Sequence, residues 1–218
     1  MEMIYVAPGS FTMGSPSFEE GRDDNEKQHH VTLTKGFWLG KYEVTQRQWK
    51  SVMGYNPSRF KRNGNRPVEQ VSWNECQEFI RKVNKNLNCR ARFPNEAEWE
   101  YACRAGSTGF YAGSGLGSMG WYDKNSEGTT HTVGRKQPNP WGFYDMHGNV
   151  WEWCNDWYGE YSSGSVTDPA GLASGGGRVL RGGSWFSSAR DCRSADRNWR
   201  NPGYRSNGYG FRLCCSAE

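Results

Sequence analysis

The chain has 218 residues, with 27 Lys and Arg against 23 Asp and Glu for a formal net charge of +4. The charges are spread along the chain without the basic blocks of nucleic-acid or membrane arms, and no apolar run approaches the roughly 20 residues of a membrane helix. With 28 Gly, 11 Trp, 11 Tyr and 10 Phe, the mean hydropathy of -0.92 describes a loop-rich fold cored by rings rather than disorder.

Two short apolar runs around Pro8-Gly9, within Met3 to Gly14, predict a hairpin. A charged loop, Glu19 to Lys27, follows, and His30–Thr34 and Phe37–Val44 predict further strands. Thr45 with Gln48 forms a capping box opening a short helix that Gly54 stops. Ser72 with Glu75 opens a second helix, whose apolar face is Trp73, Cys76, Ile80, Val83 and Leu87. Asn95 with Glu98 opens a third, running to about Arg104 and closed by Gly106. From Ser107 to Gly177 the composition predicts long ordered loops, broken by the compact Trp141–Trp157 run, and the ending alternates short strands with loops. No composition shift marks a boundary and Ser174–Gly177 is too short for a linker, so one domain is expected over residues 1–218, as a monomer.

None of the seven cysteines, Cys76, Cys89, Cys103, Cys154, Cys192, Cys214 and Cys215, has the CxxC spacing of zinc or thioredoxin chemistry. Their number favours an oxidising compartment, although Met1–Tyr5 lacks the regions of a signal peptide. His29 and His30 are adjacent in a strand and point to opposite faces, so they do not chelate one ion together, and His131 stands alone in a polar loop.

Seven stretches in chain order resemble the formylglycine-generating enzyme (sulfatase-modifying factor) family: Gly9–Ser15, Tyr42–Thr45, Pro67–Trp73, Arg92–Ala102, Gly148–Trp153, Arg181–Trp185 and Gly210–Arg212. The resemblance spans almost the whole chain and implies an α+β domain with a C-type lectin fold and little regular secondary structure. It also implies where catalysis would sit. The enzymes hold copper(I) between two cysteine thiolates, four residues apart, just after the Gly-Gly-Ser-aromatic turn. Counted from Gly182–Trp185, this chain places Ser187 and Cys192 at those positions; counted back from Arg193–Arg197, Cys192 does not match either. Copper(I) favours two soft thiolates, so no copper and no oxidase activity are expected.

The last forty residues resemble more specifically the variable proteins of diversity-generating retroelements, with Arg181–Trp185, Arg193–Ala195, Arg197, Pro202, Arg205 and Gly210–Leu213 as the fixed skeleton. Between these anchors lie Phe186, Ser187, Ser188, Arg190, Asp191, Asp196, Asn198, Asn201, Tyr204, Ser206, Asn207 and Tyr209. In that family adenines of Asn-type codons are randomised, which reaches residues of these types but not Trp199, expected to be a packing residue. Independently of the family, rings among Ser, Asn, Asp and Arg are what a paratope uses. The resemblance thus implies a binding region over residues 181–215 that meets a protein or glycan at the cell surface or outside it, with any signal or anchor lying outside this chain. The display residues are expected to point outward while Trp185, Arg193, Arg197, Pro202, Arg205 and Phe211 are packed or hydrogen-bonded.

The resemblance also implies a structural calcium held by Asp145, the carbonyls of Gly148 and Val150, and Glu152, which are hard oxygen ligands. The alternative for Asp145 and Glu152 is capping of turns or pairing with Arg. The enzymes bridge the counterpart of Cys103 to their C-terminal strand; here Cys214 and Cys215 are offset from that position, so a reduced buried thiol is the alternative.

Overall fold

The computed structural model describes residues 1–85 and 90–217; Leu87 and Cys89 lie outside the described residues. Strands β1 (Met3–Val6) and β2 (Gly9–Met13) do not form the expected hairpin. β3 (His29–Leu33) pairs antiparallel with β2, whereas β4 (Phe37–Gly40) pairs antiparallel with β1. Pro8, which has no N–H to give a ladder, marks the crossing from one sheet to the other. β4 is shorter than the apolar run predicted because the chain turns away after Gly40, and Val44 bridges two loops, its N–H donating to the Phe211 carbonyl and its carbonyl accepting from Val68 N–H.

The three capped helices form as expected. In α1 (Gln46–Met53) and α2 (Trp73–Asn84) the Thr45 and Ser72 hydroxyls accept from Gln48 and Glu75 N–H, and each of those side chains accepts in return from the cap's own N–H. Gly54 closes α1 in the left-handed conformation. After β5 (Ala91–Arg92), α3 (Glu96–Arg104) begins with Glu98 accepting from Asn95 N–H at 2.8 Å. The loop-rich stretch holds one more helical turn, α4 (Leu116–Met119), and then the central strand β6 (Trp151–Trp157).

β7 (Val166–Thr167) joins β3, giving the sheet β2-β3-β7. β8 (Arg178–Arg181) and β9 (Arg197–Arg200) follow β6 antiparallel, and β10 (Tyr209–Gly210) lies parallel on its other edge, giving β10-β6-β8-β9. β11 (Cys214–Ser216) closes the third sheet, β1-β4-β11-β5. Rings fill the space between: Trp49 stacks on Phe79 at 5.3 Å, and Phe211 meets Trp49, Phe79 and Phe93 edge-on. No helix among the described residues is long and apolar enough to cross a membrane.

Loops this long need their carbonyls satisfied, and buried guanidinium groups do it. Arg212 donates to both oxygens of Glu152 at 2.6 and 2.7 Å and also to the carbonyls of Gly40 and Tyr144. Arg193 donates to Glu19 and Glu26 and to the Gly21 carbonyl, so it gathers the charged N-terminal loop. Arg197 pairs with Glu96 at the start of α3 and reaches the Asn25 carbonyl. Arg181 pairs with Glu100 and donates to the Asp196 carbonyl. Each of these planar groups ties segments distant in sequence. Arg212→Ala leaves Glu152 charged and buried without its partner, so chemical denaturation should show a loss of about 3–5 kcal/mol. Arg205→Ala, which removes an exposed pair with Glu75, should cost no more than about 1 kcal/mol.

Candidate binding face on the Gly-Gly-Ser turn

Gly182 and Gly183 both take left-handed φ, +95° and +77°. A side chain at Gly183 would also strike Cys192 Sγ at 2.5 Å. This doubly left-handed bend reverses the chain at the end of β8 and delivers the segment after it to the surface. There Phe186, Tyr204 and Trp199 stand 45, 51 and 46% exposed. Phe186 leans edge-on against Trp185 at 5.0 Å, and Trp185 is fixed by Phe60 and by its Nε1 donating to the Asn207 carbonyl at 2.9 Å. Ser188, Arg190 and Asn201 are exposed; Asp191, Asn198, Ser206 and Asn207 are half-buried.

Three expected display positions turn inward. Ser187 Oγ lies within hydrogen-bond reach of Ser184 N–H and Oγ, closing the turn on itself. Asp196 is buried beside Glu26 and Arg193, where burial first and then the Glu26 charge push its carboxyl well above the usual range. Tyr209 lies in β10, paired to β6, with its ring 5.7 Å from Trp153. Arg205, expected to be packed or hydrogen-bonded, is hydrogen-bonded to Glu75 but lies at the surface, and Trp199, expected to pack, projects half exposed from the edge strand β9 with Tyr158 at 5.9 Å and Gly177 beside its ring. Alternation puts Trp199 on the same side of β9 as the buried Arg197, yet at this sheet edge its indole remains half exposed.

The face also includes neighbours that the sequence reading passed over. Phe110 is exposed and its carbonyl accepts from Ser194 N–H, while Tyr111 Oη donates to the Ala189 carbonyl at 2.8 Å. The two adjacent rings stand in a Gly/Ser-containing loop, Ser107–Gly113, and that juxtaposition was the available signal in the sequence.

The family described as the sulfatase-modifying factor enzyme 1-like domain matches residues 1–217. The chain belongs to this family. It is 32% identical to the formylglycine-generating enzyme of Mus musculus, over 87% of this chain and 53% of that protein. It is 34% identical to the serine/threonine-protein kinase pkn1 of Chlamydia pneumoniae over 97% of its own length, but spans 37% of that relative. In structure it is similar to Treponema denticola variable protein 1, with a TM-score of 0.92 and 33% identity over 99% of this chain and 95% of that one. These likenesses establish the formylglycine-generating-enzyme type of C-type lectin fold in the α+β class expected from the motifs.

Counting from Gly182–Trp185 sets Ser187 and Cys192 against the enzymes' copper position, whereas counting back from Arg193 matches neither. Cys192 is fully buried, and burial followed by the charges of Asp191 and Asp196 pushes its thiol well above the usual range. Cys103 and Cys214 are free and buried, as are Cys76, Cys154 and Cys192.

The Asp145–Glu152 loop is a buried acidic site. Glu152 accepts from Arg212 and from Trp99 Nε1, and Asp145 Oδ2 accepts from Gly134 N–H at 2.7 Å. Asp145 Oδ1 is buried with no hydrogen-bond partner, and burial raises this carboxyl to about 6. Glu43, which accepts from Val150 N–H and Asn149 Nδ2, adds a third carboxyl. A hard cation fits the free Asp145 oxygen, whereas Glu152 would be shared with Arg212. His147, between them in sequence, is a core residue: Nε2 accepts from Ala112 N–H at 3.1 Å and the opposite nitrogen donates to the Cys192 carbonyl at 2.9 Å.

Burial holds His147 down to about 4. The unfolded chain binds a proton there from about pH 6.5 downward and the folded chain does not until about pH 4, so folding stability falls as pH drops through that window. The loss amounts to about 3 kcal/mol. The raised carboxyls of Asp145 and Asp156 act in the opposite sense over this range, so the test is a difference: from pH 7 to pH 4.5 the stability of the wild type should fall relative to that of His147→Gln.

Proposed function

We propose that the chain is a non-enzymatic binding protein that presents a diversified face, centred on Phe186, Asn201 and Tyr204, to a protein or glycan ligand at the cell surface. The observation that carries the proposal is the contrast within one segment: exposed rings and short polar side chains alternate with buried, fully paired arginines. Such a frame holds the backbone while the display residues change, and rings among Ser and Asn supply contact area at low entropic cost. The likeness to a Treponema denticola protein that carries "variable" in its name supports it. Trp199 and Phe110 would border the face as unchanging hydrophobic edges.

The second reading is an oxidase of the formylglycine-generating type, favoured by the identity to the mouse enzyme. Ser187 argues against it, because its hydroxyl is a hard donor and is already held in the turn. A peptide containing Cys-x-Pro-x-Arg, incubated with the protein and copper(I), should gain no formylglycine by mass spectrometry above a protein-free control; turnover would establish the oxidase.

Two further measurements test the binding reading. The neighbouring genome should hold a reverse transcriptase and a near-copy of the bases encoding the C-terminal segment, differing at adenines; differences spread over all four bases contradict diversification. On protein and glycan arrays, the wild type should capture ligands that Phe186→Ala and Tyr204→Ala lose, while both variants keep the wild-type melting temperature to within the equivalent of about 0.5 kcal/mol. If those variants unfold instead, the segment is core and not a binding face.

Calcium, as a structural ion, belongs to the same proposal, and the unpartnered Asp145 Oδ1 supports it. Asp145 and neighbouring carbonyls would hold it and the ion would neutralise the buried carboxylates. Free calcium should raise the melting temperature by mass action and a chelator reverse it, with Asp145→Ala insensitive to both. An unchanged melting temperature in the wild type removes calcium from the account.

A further inference from the structure

A cavity of about 350 Å³ lies away from the proposed face, where the start of α3 meets the end of β6 under the 159–172 loop. Its size is at the lower end of small-ligand pockets, about 300–1,000 Å³. Met13, Val166, Pro169 and Leu172 supply apolar wall, and Asp156 supplies a carboxyl that is 4% exposed. Asp156 Oδ2 accepts from Glu96 N–H at 2.8 Å. The loop passes directly over this carboxyl: Gly171 has φ +75°, and a side chain there would meet Asp156 Cβ at 2.7 Å and Oδ1 at 3.0 Å.

The charges around the cavity do not balance. Glu96 is neutralised by Arg197 and Arg181, and its carboxyl is accordingly lowered although burial opposes this. Asp156 forms no ion pair with any Lys, Arg or His among the described residues. From β8, Arg178 senses it, but that guanidinium lies over the rings of Trp157 and Trp73 at 3.7 and 4.0 Å. From α3, Glu96 and Glu98 repel it; His29, Glu160, Tyr161 and Arg197 form the other polar walls. An uncompensated carboxyl in a partly apolar cavity is costly unless it stays protonated or a cation enters.

We propose that this cavity is a binding site for a small organic cation, a primary ammonium on a short apolar body, with Asp156 as its counter-ion and the Met13–Leu172 wall receiving the hydrocarbon. The site is independent of the proposed binding face. Burial and the Glu96 charge hold the Asp156 carboxyl up to about 8. Binding therefore releases a proton, and affinity rises with pH until the carboxyl is ionised, while an alkylammonium stays charged up to about pH 10, as lysine does.

The test uses n-butylamine, n-butanol and butyrate as probes on the full chain, followed by thermal shift and calorimetry. At pH 9 butylamine should raise the melting temperature and the other two should not. Its affinity should fall about tenfold or more by pH 6.5, and Asp156→Asn should lose binding at pH 9. If that variant does not fold, the pH dependence of the wild type decides. Equal binding of butanol, preference for butyrate, a flat pH profile, no butylamine binding at millimolar concentration, or an unaffected folded Asp156→Asn each overturns the proposal.

Discussion

The loops of this molecule depend on the pairing of buried arginines with glutamates, bidentate in Arg212, Arg193 and Arg197. Regular ladders satisfy little of the backbone, since the longest strand is β6, with 7 residues, and the loops would otherwise carry unpaired carbonyls into a ring-filled core. Arg212, Arg193, Arg197 and Arg181 each spend one edge of the guanidinium on a carboxylate and another on carbonyls from a different part of the chain. A guanidinium does this where an ammonium cannot, because its donors are fixed in a plane. Three of these four arginines belong to the two strands flanking the candidate face, Arg181 on β8, and Arg193 and Arg197 leading into and beginning β9. The stiffness of the face is thus set from beneath.

That arrangement separates two demands which usually compete. A surface that accepts many residues loses packing, and packing is what fixes backbone. Here fixation is electrostatic and lies below the surface, and Phe186, Ser188 and Tyr204 stand exposed above it. The turn that leads into this segment is closed by Ser184 and Ser187 bonding to one another.

The helices were legible because capping is local: Thr45/Gln48, Ser72/Glu75 and Asn95/Glu98 place their donors and acceptors three residues apart. Pro8-Gly9 misled because a turn signal says that the chain bends and not which strand it will pair with, and β1 and β2 find their partners in β4 and β3, with Met3 opposite Gly40 and Gly9 opposite Leu33. Within the C-terminal segment the arginine skeleton was readable as anchors, but Arg205 was not separable from Arg193: both are arginines beside polar residues, and only the fold shows that one meets Glu75 at the surface and the other two buried glutamates. Ser187, Asp196 and Tyr209 have the composition of display residues and the surroundings of core: Ser187 is drawn in by its own turn, Tyr209 by pairing with β6, and Asp196 by burial beside Glu26 and Arg193. The Asp156 cavity had no local signature at all, because its walls come from α3, β6, β7 and a loop.

The account's central claim is that a buried arginine frame leaves one face free to vary. The most direct measurement is a library with Phe186, Ser187, Ser188, Asp196, Asn201, Tyr204 and Tyr209 fully randomised, selected only for resistance to protease and then sequenced. The account predicts near-uniform residue frequencies at Phe186, Ser188, Asn201 and Tyr204, and retention of Ser187, Asp196 and Tyr209 or close substitutes. Equal restriction at all seven positions would contradict it, because the face would then be part of what holds the fold together.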